Sequence, residues 1–197
     1  MEYSEREVEE LIRVARVCME LSVRSPSFHP EIVEQQFNHI RKGGSVVVRL
    51  IDYPTNTIYG TSDIIDSINV VKAVVQATLS AEFDAGKLSL PPQRIDEIVI
   101  ELNLLENPQK LSSSAPSRER EIDAGKHGLM VEYGARKSIL LPSYAAEHGM
   151  DNQRFLEEAC ELARLPRDYW KQPSTTIYKF AVERYIEEAP SGSVKRL

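Results

Sequence analysis

The sequence predicts an α+β fold, a mostly antiparallel or mixed sheet with flanking helices. Three observations lead there. Stripes of apolar residues at helical spacing lie near both ends of the chain, separated by runs that read as strands. The strands and helices follow no regular βαβ period. A glycine-punctuated stretch, "IDAGKHGLMVEYGARKSILLP", reads as strand, turn, strand, turn, strand. The chain has 197 residues, 42% hydrophobic and 27% charged. That is enough to bury a core without disulfides or structural metal.

The elements follow in order. Ser4 and Glu7 form a capping box, and Val8, Leu11, Ile12, Ala15, Cys18 and Met19 make one apolar stripe behind it. Pro30 opens a second helix through about Lys42, with Val33, Phe37 and Ile40 inward and Gly43-Gly44 as its stop. "SVVVRLIDY" is a strand buried on both faces. "PTNT" is a turn, and "IYG" starts a short strand or loop. Asp66 or Ser67 caps a helix over about 67–84, with Ile68, Val71, Val74, Val75, Thr78 and Leu79 inward. Its β-branched content leaves a strand over 68–76 as the competing assignment. "AGKLSLPPQ" is a loop.

"EIVIELNLLE" alternates, with Ile98, Ile100, Leu102 and Leu104 on the core face and Glu97, Val99, Glu101 and Asn103 on the other. "NPQKLSSSAPSRERE" is polar and reads as a mobile excursion, with "SREREID" a solvated face. "SYAAEHGMD" holds a helical turn, Asp151 caps a helix to about Leu165, and Pro166 stops it. "STTIYKFAVERYIEE" is a late strand. A single domain is expected over 1–187, with 188–197 a flexible tail.

Charge and motifs narrow the function. A net charge of −6 argues against nucleic-acid binding. Cys18 and Cys160 fall on apolar stripes, where buried inert thiols are expected, and their number and spacing suit a cytoplasmic protein. The N-terminus lacks the pattern of a signal peptide, and no apolar run is long enough for a membrane helix. The histidines and cysteines form no metal-binding spacing, and there is no Walker lysine or dinucleotide fingerprint, so no metal and no cofactor are expected.

Three places carry candidate chemistry. Gly60-Thr61-Ser62-Asp63 reads either as a polar-ligand loop at a helix N-terminus or as a turn in which Ser62 or Asp63 caps. Asp63 and Asp66 alone are weak evidence for a cation. Glu101 is a candidate acid, base or ligand anchor if its face lines a cleft, and a solvent-facing carboxylate otherwise. His127 is either a group titrating near neutrality or a hairpin residue. Trp170 either packs a helix on the sheet or, if exposed, marks a partner surface.

"SVVVRL", the x-x-Gly-x-x-x stretch at 58–63, "IVIELNLL", "GKHGLMVEYG", "ILLP", "FLEEAC" and Trp170 occur in that order. In this the chain resembles the AMMECR family, the A component of the AmmeMemoRadiSam system, from about Val8 to Tyr185. The resemblance implies two unequal lobes with a cleft between them, the larger about 1–57 plus 93–187 and the smaller about 58–92. It also implies Memo-type and radical-SAM-type partner proteins. The family's Leu-Arg-Gly-Cys-Ile-Gly signature falls on Ile58-Tyr59-Gly60-Thr61-Ser62-Asp63, where only Gly60 keeps its identity outright. A second element is reduced to "DAGKLSLPP", with Asp84 and Pro91 surviving. The chain thus resembles a diverged, archaeal-type member. A tyrosine cannot replace an arginine as an anion clamp, nor a threonine an activated cysteine.

The expected function is therefore that of an accessory protein. It binds a small polar ligand or a partner segment in the cleft, at Tyr59, Gly60, Thr61, Ser62, Asp63, Glu101 and His127. An enzyme acting on a small polar substrate there, and a non-catalytic scaffold, are the two alternatives.

Overall fold

The computed structural model describes residues 3–25, 27–83 and 90–197. The loop assigned to "AGKLSLPPQ" and the eroded Asp84 element lie largely outside these residues. The elements are α1 (Glu5–Arg24), α2 (Glu31–Gln36), β1 (Gly44–Asp52), β2 (Thr57–Ser67), α3 (Val70–Glu82), β3 (Ile98–Lys110), α4 (Ala115–Glu121), β4 (Gly128–Tyr133), β5 (Arg136–Leu140), α5 (Pro142–His148), α6 (Asn152–Leu162), β6 (Thr176–Glu187) and β7 (Val194–Arg196). Short 3-10 turns precede β3 and follow α6. The fold is α+β, and every strand pair whose register is described is antiparallel.

The chain forms two compact units, Met1–Leu104 with Glu183–Leu197, and Leu105–Val182. This division falls elsewhere than the expected lobe at 58–92. β2 pairs with β1 along its length, from Gly44↔Ser67 to Asp52↔Thr57, so residues 57–67 are part of the first unit's sheet.

In the first unit the strand order is β2-β1-β3-β6, with β7 on β6. One side of this sheet carries Val46, Val48, Leu50, Ile98, Ile100, Leu102 and Leu104 into a core shared with α1 and α3. The capping box at Ser4 and Glu7 forms as expected and fixes the start of α1. Arg16, buried on α1, donates through Nε to Glu187 Oε1 (3.1 Å) and through Nη2 to the carbonyl of Ile98 (2.7 Å). Glu187 Oε2 also accepts from the amide of Ile100 (2.9 Å). The pair ties α1, β3 and β6 together with its polar atoms engaged, as a buried ion pair requires.

Several boundaries differ from expectation. α2 is only six residues, and Gly43-Gly44 does not end it. Tyr3 occupies the space beside that pair instead, its hydroxyl donating to the Gly43 carbonyl (2.7 Å) and lying 2.4 Å from where a Cβ on Gly44 would sit. Residues 68–76 settle the competing assignments as helix, but α3 starts at Val70, capped by Asn69, whose side chain accepts from the amide of Lys72 (3.1 Å). β2 runs on to Ser67 opposite Gly44, which carries Ile68 out of the helix to 97% exposure. The tail is not loose at its end, because β7 pairs with β6 from Tyr185↔Arg196 to Glu187↔Val194.

In the second unit β4 pairs with both β5 and β6. Leu129, Val131, Leu140, Phe155, Leu156, Cys160, Trp170 and Ile177 form its core, so Trp170 is a packing residue. The stretch read as a mobile excursion is ordered: β3 continues to Lys110 and α4 follows. Arg118, expected on a solvated face, is almost fully buried. It donates to the carbonyls of Ser112 (2.7 Å), Gln172 (3.0 Å) and Thr175 (2.6 Å), and to that of Trp170. These backbone carbonyls offset the cost of burying its charge. The segment expected as a first strand before Gly125 is a turn, closed by Lys126 and His127 amides on the Asp123 carbonyl (3.0 and 2.8 Å).

Candidate functional site

The side of the first unit's sheet away from its helices is polar at its centre. Alternation along a strand sends Val47, Arg49 and Val99, Glu101, Asn103 to that side. Tyr185 belongs to the core, so its neighbour Arg184 points the same way as Glu101. Directly paired residues share a face, and Thr61 lies opposite Arg49 and Asp63 opposite Val47. Each of the four strands β2, β1, β3 and β6 thus delivers polar side chains to one patch.

Glu101 is its centre. The residue is 3% exposed, so it is not the solvent-facing glutamate of a one-sided sheet. Oε2 accepts from Arg184 Nη2 (3.0 Å), and Oε1 faces Arg49 Nη1 (3.4 Å). Oε1 also accepts from Asn103 Nδ2 (2.9 Å). Asn103 in turn reaches the Val47 carbonyl (3.4 Å). Two guanidiniums share this one buried carboxylate, and Asp63 adds a second carboxylate on the same face. The Arg184 side chain is 27% exposed against 10% for Arg49, so solvent meets Arg184 first. Glu101 positions the two arginines and has neither of its oxygens free for acid–base work.

The 59–63 stretch is not a loop. It lies within β2, and the helix N-terminus that would have served an anion is several residues away, at Asn69. Strand alternation divides the stretch. Thr61 and Asp63 share the side of Arg49 and Glu101, while Gly60 and Ser62, opposite Leu50 and Val48, take the helix side. An irregularity between Leu50 and Ile51 puts Tyr59 against the core. There burial, with the nearby Glu82 carboxyl, raises its phenol above its ordinary value. The structure therefore brings Thr61 and Asp63, but not Tyr59, Gly60 or Ser62, to the face that holds Glu101.

His127 belongs to the second unit and acts locally. Its Nδ1 accepts from the amide of Asp123 (2.9 Å), which closes the turn in both directions. Burial, and then Lys179, lower its pKa, consistent with a ring that accepts at Nδ1. Both cysteines are buried; burial raises the Cys18 thiol far above its ordinary range and pushes Cys160 up to about 12. Among the described residues no group of histidine, cysteine or carboxylate side chains is placed to hold a metal ion. No helix among them is long and apolar enough to cross a membrane.

A groove of about 540 Å3 also opens in the first unit, lined by Glu9, Arg13, Arg16, Glu20, Glu187 and Val194. Its buried charges, Arg16 and Glu187, are already bound to each other and to backbone, which leaves them little to offer a ligand.

Sequence reasoning missed Arg49 and Arg184 as partners of Glu101. The signal was present: Arg49 interrupts the apolar run "SVVV-LI", and an arginine inside a strand buried on both sides calls for a carboxylate partner. Which carboxylate it meets depends on strand order, which periodicity does not carry.

These features define a class: an α+β protein of two compact units, with a buried arginine–carboxylate cluster across an antiparallel sheet. Comparison with known proteins gives the family. Residues 58–185 match the AMMECR1 family. A protein of Methanopyrus kandleri is 38% identical over 156 residues, 76% of this chain and 74% of that one. A protein of Aquifex aeolicus is 32% identical over 170 residues, 85% of this chain and 86% of that one. The crystal structure of an uncharacterised protein from Pyrococcus horikoshii superposes with a TM-score of 0.88 at 28% identity, covering 100% of this chain and 99% of that one. The chain belongs to the AMMECR1 family.

Proposed function

We propose that this protein works by binding a small anionic ligand on the Arg49–Glu101–Arg184 face of its first unit. One observation carries the reading: two arginines share a single buried carboxylate, and one of them is within reach of solvent. A guanidinium held by a neighbouring carboxylate is preorganised, so little side-chain freedom is lost when it takes a carboxylate or phosphate. Thr61 and Asp63 border the patch on β2 and can add a hydroxyl contact and repel misplaced anions. The reading favours binding over catalysis because Glu101, the carboxylate at the centre, is committed to the arginines.

Thermal unfolding of the purified protein with acetate, succinate and inorganic phosphate tests it. Binding to the folded state raises stability by about 2.7 kcal/mol at a hundredfold excess over Kd. At least one anion is expected to raise Tm, and Arg184→Gln to weaken it tenfold or more while keeping a cooperative transition. No shift with any anion, or equal shifts in the variant, would remove this face as the site.

A further inference from the structure

Two polar atoms of the cluster are buried without a hydrogen-bond partner, Asn103 Oδ1 and Arg184 Nε. The orientation of the Asn103 amide is not arbitrary. Its Nδ2 lies 2.9 Å from Glu101 Oε1 and 3.4 Å from the Val47 carbonyl, and both are acceptors only. A flipped amide would set oxygen against oxygen at both contacts, so Oδ1 is held on the other side. Asn103 itself is 0% exposed. A buried acceptor without a donor is destabilising, and a ligand N–H would supply the missing bond. The unpartnered pair is complementary: Arg184 Nε offers a hydrogen, and Asn103 Oδ1 accepts one.

We infer that the ligand of this face is a carboxylate bearing an N–H group on its α-carbon, its carboxylate on Arg184 and its N–H on Asn103 Oδ1. This rests on the anion-binding reading above and names the class of anion. Arg184 is the more exposed of the two arginines, so the carboxylate meets it first, and Asn103 is the deeper group. An ammonium or amide nitrogen is acceptable there because Glu101 Oε1 shares the Asn103 amide and offsets positive charge. Free amino acids and the C-terminal residue of a peptide share this chemistry.

The test compares pairs that differ only in the nitrogen, by titration calorimetry on the intact protein: L-alanine with propionate, L-glutamate with glutarate, L-phenylalanine with 3-phenylpropionate. Glycyl-L-alanine separates a peptide end from a free amino acid. The nitrogen-bearing member of at least one pair is expected to bind tenfold or more tightly. Asn103→Leu, which keeps the volume and removes the acceptor, is expected to abolish that preference while retaining the weaker binding of the deaminated acid. Equal affinities within every pair in the wild-type protein would overturn the inference while leaving the anion site standing. A preference that survives in Asn103→Leu would overturn the role of Asn103. If no member of any pair binds the wild-type protein, the inference falls, and the anion site falls with it if inorganic phosphate also leaves Tm unchanged. The wild-type comparison needs no variant and stands even if Asn103→Leu does not fold.

Discussion

Glu82 shows how much a single buried group decides. It closes α3 at 2% exposure, with the Ser22 hydroxyl of α1 at 2.8 Å from both of its oxygens and no cation beside it in the described residues. Burial pushes its carboxyl up to about 8, only partly opposed by Ser22. The sign follows from linkage. The folded pKa lies above the unfolded one, so the unfolded chain gives up its proton first. Stability from this group is full below about pH 4.5, falls as pH rises toward 8, and is flat beyond. The slope is at most about 1.4 kcal/mol per pH unit. In urea unfolding at pH 5, 6, 7 and 8, Glu82→Gln is expected to gain on the wild type steadily across the range. A difference that does not vary with pH would mean that Glu82 is ionised in the folded protein. Tyr59, at the family's signature position, feels the same carboxyl.

At the scale of elements, strand pairing settles what local sequence leaves open. Gly128 begins β4 opposite Phe180 on β6, and an added Cβ would lie 2.2 to 2.9 Å from three atoms of the Phe180 ring. The glycine belongs to the pairing of two strands and not to the turn before it. Gly128→Ala is expected to cost about 1–3 kcal/mol through overpacking. Chemical denaturation measures it, and Phe180→Leu in the same chain is expected to return part of the loss. An alanine variant as stable as the wild type would show that the ring moves aside freely. α3 makes the same point in reverse. Its β-branched residues favour strand by propensity, yet Val71, Val74, Val75 and Thr78 are all buried on a helix. The 3.6-residue period matched the available core better than the propensity did.

At the scale of the whole molecule, the first unit is discontinuous, Met1–Leu104 completed by Glu183–Leu197. The returning segment brings Glu187 to Arg16 and Arg184 to Glu101, so two of the buried charged groups of the N-terminal part take a partner from it. Losing one partner of a buried pair costs about 3–5 kcal/mol. A fragment of residues 1–104 is therefore expected to lack a cooperative urea transition and near-ultraviolet circular dichroism. A fragment with both would show that the ion pairs are dispensable.

The amino-acid sequence alone determined the α+β class, the apolar stripe and capping box of α1, the two-sided burial of β1, the Asp151 cap of α6 and the family. Each is written in local periodicity, in one side chain three residues from its partner, or in ordered motifs. It also placed Glu101 and Asn103 together on the face opposite the core. Only the tertiary structure decided that Glu101 and Asn103 are buried, that Glu101 sits between Arg49 and Arg184, and that the 59–63 stretch is a strand whose residues divide between two sides. The physical reason is separation along the chain. Arg49, Glu101 and Arg184 lie on three strands far apart in sequence, and the charge each one needs is supplied only once strand order brings them together.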